Sequence, residues 1–194
     1  MTGMLSLLMF STVRDPAPVR GQEDDMQVLI ENESHRAQIR AITQAAFGGD
    51  DEADLLDRLR EDGLVRLSLV AVEDGQVVGH ALFTALPVSV DGREVEALSL
   101  APVSVRPDYQ GTGVGSMLIR EALARLAHSG FEAVVVLGHP GYYPRFGFSA
   151  ALAAKLAAPF SGEAFMALEL VEGALRGESG RVSYPSAFGI VDGH

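Results

Sequence analysis

The sequence has no cysteine and no tryptophan. Without thiols there can be no disulfide, no iron–sulfur cluster and no zinc–thiolate centre. Basic residues are scarce: 15 Lys and Arg stand against 26 Asp and Glu, a formal net charge of −11. A chain of that sign is ill suited to nucleic acid or anionic lipid, where Lys and Arg must replace condensed counterions. No apolar run reaches the roughly 18–20 residues of a membrane span. The expectation is a globular, cytoplasmic protein that works without nucleic acid, membrane or metal. Its 194 residues, 47% of them hydrophobic, fit one domain. By size scaling about 70% of the unfolded surface is buried in such a chain, so the core needs no staples.

Residues 4–10 (MLSLLMF) resemble the apolar core of a signal peptide. No Lys or Arg precedes them and no small-x-small cleavage site follows cleanly, so the stretch reads as an extension. Pro16 to Pro18 and the acidic Glu23, Asp24 and Asp25 read as linker. The expectation is a flexible extension over 1–25, a domain over 26–185 and a tail over 186–194.

Within the domain, residues 26–30 are strand-like, and Asn32 is placed to cap the helix after it. Ile39, Ile42 and Ala46, then Leu55, Leu56 and Leu59, recur at helical spacing. Strand-like runs over 67–72, 77–86 and 88–90 are punctuated by Asp74-Gly75 and Asp91-Gly92, both strong hairpin signals. A further strand runs to Val105. The spacing of Val114, Leu118, Ala122 and Leu126 predicts a helix over 113–128, stopped near Gly130. Residues 133–137 (AVVVL) read as a buried parallel strand. Two last strands are expected over 165–171 and 181–184 around a Gly-rich loop. The fold class is therefore α+β: a mixed, mostly antiparallel sheet flanked by helices, with one parallel β-α-β crossover.

The densest chemistry lies between strand and helix, from Val103 to Ser116. Gly111, Gly113 and Gly115 let the backbone approach a ligand closely. The first amides of the following helix lack internal acceptors and carry partial positive charge, which suits a pyrophosphate. A dinucleotide fingerprint would need a third glycine where Ser116 stands, and a P-loop would need a lysine that is absent.

Val105-x-Pro107-x-x-Gln110-x-x-Gly113-x-Gly115 resembles the acetyl-CoA signature of the GNAT superfamily of N-acetyltransferases. Tyr142 to Phe148 (YYPRFGF) is similar to that family's second landmark, a Tyr four residues before Gly-Phe. The longer GHPGYYPRFGF string resembles a branch of bacterial predicted acetyltransferases. The resemblance covers 26–184. It implies acetyl-CoA as co-substrate, held by Val103, Ser104, Val105, Gln110, Gly111, Thr112, Gly113, Val114, Gly115 and Ser116. It also implies an amine acceptor and direct attack in a ternary complex. The main chains of Val103 and Val105 would pair with the pantetheine arm, and the Val103 amide would hold the thioester oxygen. Pro102 marks a bulge or an edge, as a strand losing its neighbour requires.

Tyr143 is the catalytic acid that the resemblance implies, with adjacent Tyr142 as alternative donor or core aromatic. A phenol near pKa 10 giving a proton to a thiolate whose acid lies near 8.5 is uphill by only about 2 kcal/mol. In the histone-acetylating branch a strand Glu stands eleven residues before the signature Gln; here that position is Ser99. Glu96, His139 or water remain open as the base. Asp50, Asp51, Glu52, Asp54 and Asp57 are either a solvated helix face or a funnel for cationic amines. The resemblance implies an acceptor site between the first two helices and the final hairpin. A non-catalytic acyl-CoA-binding or sensor module, and a homodimer, both stay open.

Overall fold

Asp74 and Gly75 (φ 49° and 72°), and Asp91 and Gly92 (φ 47° and 79°), all occupy left-handed backbone conformations. That is the requirement of a two-residue hairpin turn whose twist matches its strands. In the computed structural model, which describes residues 26–190, these turns join β2 (Val65–Glu73), β3 (Gln76–Val90) and β4 (Arg93–Val105) into an antiparallel meander. The runs expected over 77–86 and 88–90 are one strand, because Pro87 takes its place in the ladder opposite Glu96.

The sheet runs β1-β2-β3-β4-β5-β7, with β1 at Gln27–Ile30, β5 at Ala133–Leu137 and β7 at Phe165–Glu169. Neighbours are antiparallel except β4 and β5, which are parallel. Helix α3 (Val114–Leu126) makes the crossover between them and ends two residues short of the expected stop, with Ser129 bonding back to the Leu126 carbonyl. It packs Val114, Leu118, Ile119 and Ala122 against Phe83, Leu98, Leu100 and Val134.

The opposite face carries α1 (Arg36–Phe47) and α2 (Asp51–Glu61). Asn32 does cap, accepting from the Ser34 amide at 2.9 Å, but it caps a short 3-10 turn (Glu33–His35) that leads into α1. Leu55, Leu56 and Leu59 of α2 are buried with Ile39, Val70 and Leu82. Burial of each contributes about 1.5–3 kcal/mol, which polar α2 needs in order to stay docked. Among the described residues no helix is long and apolar enough to cross a membrane.

The expected final hairpin does not form. β7 pairs with β5, whereas β8 (Gly180–Val182) pairs with Val88–Val90 of β3 and, in parallel, with β6 (Leu156–Ala157). β3 is long enough that β8 takes the edge β2 leaves free beyond Thr84. Within the stretch expected as a tail, Ala187 and Phe188 are buried beside α2, and Arg58 Nε donates to the Ala187 carbonyl at 2.9 Å. The expectations for 1–25 and 191–194 lie outside the described residues.

Candidate functional site

Strands β4 and β5 part company. Their ladder covers Ala97, Leu98 and Ser99 opposite Ala133, Val134 and Val135, yet β4 continues to Val105 and β5 to Leu137. The parting starts beside a bulge: Ala81 faces Val103 and Phe83 faces Leu100, so Ala101 and Pro102 together oppose Leu82 alone. An extra residue bends its strand away from the neighbour, and Pro102 brings no amide to the ladder.

Peptide directions follow by alternation. The Arg106 amide bonds to the Val78 carbonyl at 2.9 Å, and Ser104 stands opposite His80, so these positions turn their peptide groups toward β3. Val103 and Val105 therefore turn theirs away, into the gap beside β5. Gln110 reaches back and donates its side-chain amide to the Val105 carbonyl at 3.1 Å. The Ser104 side chain shares a 2.9 Å hydrogen bond with Thr43 of α1, so its hydroxyl braces the helix and lies off the gap.

A 3-10 turn (Pro107–Tyr109) and the glycine step follow. Thr112 donates its hydroxyl to the Tyr109 carbonyl at 2.7 Å, closing the turn. Gly113 caps α3 at φ 95°, and a β-carbon there would meet nothing within 4 Å among the described residues. The first helical bond back is Met117 N–H to the Gly113 carbonyl at 2.9 Å. The amides of Val114, Gly115 and Ser116 precede it and have no intrahelical acceptor. Left-handed glycine, open space and three free-pointing amides suit an anionic group at this end of the gap. Gly79, which sequence reasoning missed, lets α3 come this close: a β-carbon there would stand 2.6 Å from Val114 Cγ1 and 3.0 Å from Leu118 Cδ1. It faces Val105 in the ladder, so the helix start is pinned over the end of β4.

The loop after β5 supplies the other wall. A 3-10 turn (Tyr143–Phe146) holds both tyrosines in the core, packed edge-on at 5.2 Å. Tyr142 shares a 3.1 Å hydrogen bond with the Ser116 hydroxyl, which ties this loop to the first turn of α3. That bond spends the Ser116 side chain on structure and leaves its amide for a ligand. Tyr143 packs on Phe148, its ring centre 5.7 Å away. Burial, with Tyr142 adding a little, pushes the Tyr143 phenol above its usual range, so it stays protonated. Transfer of its proton to a thiolate is therefore steeper than a phenol near pKa 10 would give.

The candidate bases separate. His139 is exposed just past β5 at the open end of the gap, with Nδ1 accepting from the Gly141 amide at 3.0 Å. Glu96 is exposed at the opposite end of the parallel ladder, where its amide bonds the Glu132 carboxylate at 2.9 Å. The structure does not bring Glu96 to the gap. In the acidic cluster, Arg40 sits 2.7 Å from both Asp54 and Asp57, and Gln44 donates to Asp50 at 2.6 Å. Glu52 turns inward, where burial raises its carboxyl, with Asp51 adding to the effect. These partners favour a braced helix face over a funnel for cations.

Three comparisons bear on this geometry. The sequence model of the family "Acetyltransferase (GNAT) domain" matches residues 30–151. A curated Escherichia coli K12 relative, the uncharacterized N-acetyltransferase YhbS, is 40% identical over 153 residues, covering 77% of this chain and 90% of the relative. The crystal structure of E. coli YhbS in complex with CoA superposes with a TM-score of 0.77 at 36% identity, covering 91% of this chain and 95% of that one. A Brucella melitensis GNAT acetyltransferase in complex with acetyl-CoA gives a TM-score of 0.69 at 39% identity, covering 84% and 97%.

Proposed function

Because the chain belongs to the GNAT acetyltransferase family, we propose that it moves the acetyl group of acetyl-CoA to a primary amine, by direct attack in a ternary complex. The observation that carries this reading is the parting of β4 from β5, with the start of α3 at one wall and Tyr143 at the other. The similar E. coli and Brucella structures, with CoA and acetyl-CoA bound, support it.

Acetyl-CoA supplies an activated thioester and a pyrophosphate handle. The amides of Val114, Gly115 and Ser116 seat the pyrophosphate, helped by the partial positive charge of the helix start. Peptide groups of Val103 and Val105 face the pantetheine arm as another strand would. The Val103 N–H stands to hold the thioester oxygen as it gains negative charge, a contribution worth a few kcal/mol at comparable sites. Tyr143, kept protonated by burial, gives its proton to the sulfur as the carbon–sulfur bond breaks. The amine must shed a proton to attack, and His139 or a water at the open end of the gap accepts it.

Thiol release from acetyl-CoA, followed across amines of graded size and charge, tests the reading. Turnover with at least one primary amine, lost in Tyr143→Phe, is the expected result. Saturable acetyl-CoA binding with no turnover on any amine would assign the fold a binding or sensing role instead.

A further inference from the structure

A second cavity, of about 380 Å³, lies two strands away from β4, at the C-terminal end of β1. Its walls include Ile30, Glu31, Arg36, Arg60, Arg66 and Leu67. Three arginines and one carboxylate make this a cationic place in a chain of net charge −11. Glu31 offsets part of that charge by pairing with Arg60, and Arg66 is left without a carboxylate partner among the described residues. Glu31 accepts from the Ser68 hydroxyl, lies 3.5 Å from His80 Nε2, and sits 2.9 Å from Arg60 Nη2, while Asp57 accepts from Arg60 Nη1 at 3.1 Å.

The arginines retain unused donors. Arg60 has only 13% of its side chain exposed, yet its Nε has no hydrogen-bond partner among the described residues. Its Nη2 is near Glu31 in charge but too poorly aligned for a hydrogen bond. A buried donor left without an acceptor is costly, so each such group calls for an explanation. Arg36 reaches Glu31 and Glu33 only at 3.8 and 3.9 Å. Arg66 bonds the carbonyls of Gly63 and Val65, and no carboxylate pairs with it among the described residues. The apolar side of the same cavity is also unusually open: Ile30 is 62% exposed.

From this juxtaposition we infer that the cavity binds a small organic anion, a carboxylate or phosphate monoester on a short apolar body. The guanidiniums of Arg36 and Arg66 grip the headgroup, and the body lies on Ile30 and Leu67. Guanidinium forks match both headgroups, and an exposed apolar wall adds area that inorganic phosphate cannot use. With a Debye length near 8 Å in physiological salt, the distant acidic residues do little to repel such a ligand. The volume falls in the range of small-molecule pockets, roughly 300–1,000 Å³. The inference stands apart from acetyl transfer and does not need it.

Calorimetric titration of the full chain with hexanoate, hexyl phosphate, hexanol and hexylammonium tests it. At least one anion is expected to bind at one site, at least tenfold more tightly than hexanol or hexylammonium, and the tighter of the two names the headgroup. Arg66→Gln and Arg36→Gln, both at the surface, should each weaken it about tenfold, the size of one charge-assisted hydrogen bond. Saturating acetyl-CoA should leave the titration unchanged. Equal binding of hexanol, indifference to both arginine substitutions, or displacement by acetyl-CoA would each overturn the assignment.

Discussion

The ring of Tyr143 lies across Gly138: a β-carbon at Gly138 would stand 2.6 Å from Cδ2 of Tyr143 and closer still to Cε2. Gly138 is the residue after β5, and its amide bonds the Ala164 carbonyl at 2.9 Å, so it cannot step aside freely. Replacing it with alanine forces the phenol to move. Overpacking of this kind costs about 1–3 kcal/mol, or roughly 2–4 °C of melting temperature per kcal/mol in a domain of this size. Gly138→Ala is expected to melt earlier and to lose turnover while keeping its affinity for acetyl-CoA. Full turnover with a lowered melting point would separate Tyr143 from the reaction.

The two tyrosines should respond differently to loss of their hydroxyls. Tyr143→Phe is expected to lower turnover by about 10²–10⁴-fold, the usual size of general acid catalysis, with little change in cofactor affinity. Tyr142→Phe removes a buried hydrogen bond to Ser116 and should cost about 1 kcal/mol of stability, with a modest effect on rate. Because burial raises the Tyr143 phenol, any alkaline fall in activity below pH 10 should report a group other than Tyr143. Steady-state kinetics across pH on both variants decides this.

Gly113 stands at φ 95° with open space beside it, where L side chains are strained. Gly113→Val is expected to weaken acetyl-CoA binding at least tenfold, from strain of about 1–3 kcal/mol and from the side chain entering the space proposed for the pyrophosphate. Equilibrium binding of acetyl-CoA measures it, and unchanged affinity would move the seat elsewhere.

Acid should destabilise the fold in two stages. Burial lowers His80 below its usual 6.5, against the pull of Glu31. Burial would raise Glu31, but hydrogen bonds from His80 and Ser68 and the charges of His80 and Arg60 bring it from 4.5 to about 2. Both folded values lie below the unfolded ones, so the unfolded chain takes up protons first as pH falls. Stability is complete above about pH 6.5, falls below it through His80, and falls further between 4.5 and 2 through Glu31. At 1.36 kcal/mol per pKa unit, the Glu31 stage is worth at most about 3 kcal/mol. Denaturant unfolding from pH 8 to pH 3 should show both stages, with His80→Gln flattening the upper one. An unchanged slope in His80→Gln would remove the histidine from the account.

Features encoded within a few residues were legible in the sequence. The Asp-Gly turns, the apolar run of β5 and the glycine step into α3 all stand where periodicity and turn chemistry put them, because each is settled by backbone preference or local amphipathicity. Pro102 was legible as a bulge or an edge, and the ladder makes it a bulge. Features settled by distant partners were not. Nothing in Gly180, Arg181 or Val182 states that they will pair with Val88–Val90, because that edge exists only once β2 has ended. Gly79 reads as an ordinary strand glycine until α3 lies on it, and Gly138 until Tyr143 does. Ser68 and His80 stand on neighbouring strands and Glu31 just past the end of a third, so their meeting leaves no spacing to find.

Strand β3 serves as neighbour to β2, β4 and β8 along a single run of 15 residues. Strand side chains alternate faces, so losing or gaining one residue inside Gln76–Val90 would turn every later position over for three partners at once. A length change there would take Gly79 from beneath α3 or shift the register opposite the bulge at Ala101 and Pro102. Evolution is therefore confined to lengthening or shortening this protein elsewhere: at the tips marked by Asp74 and Asp91, and in the loops that come after β7 and α2. The ancestry of the domain should be readable as drift in those loops around a strand of fixed length.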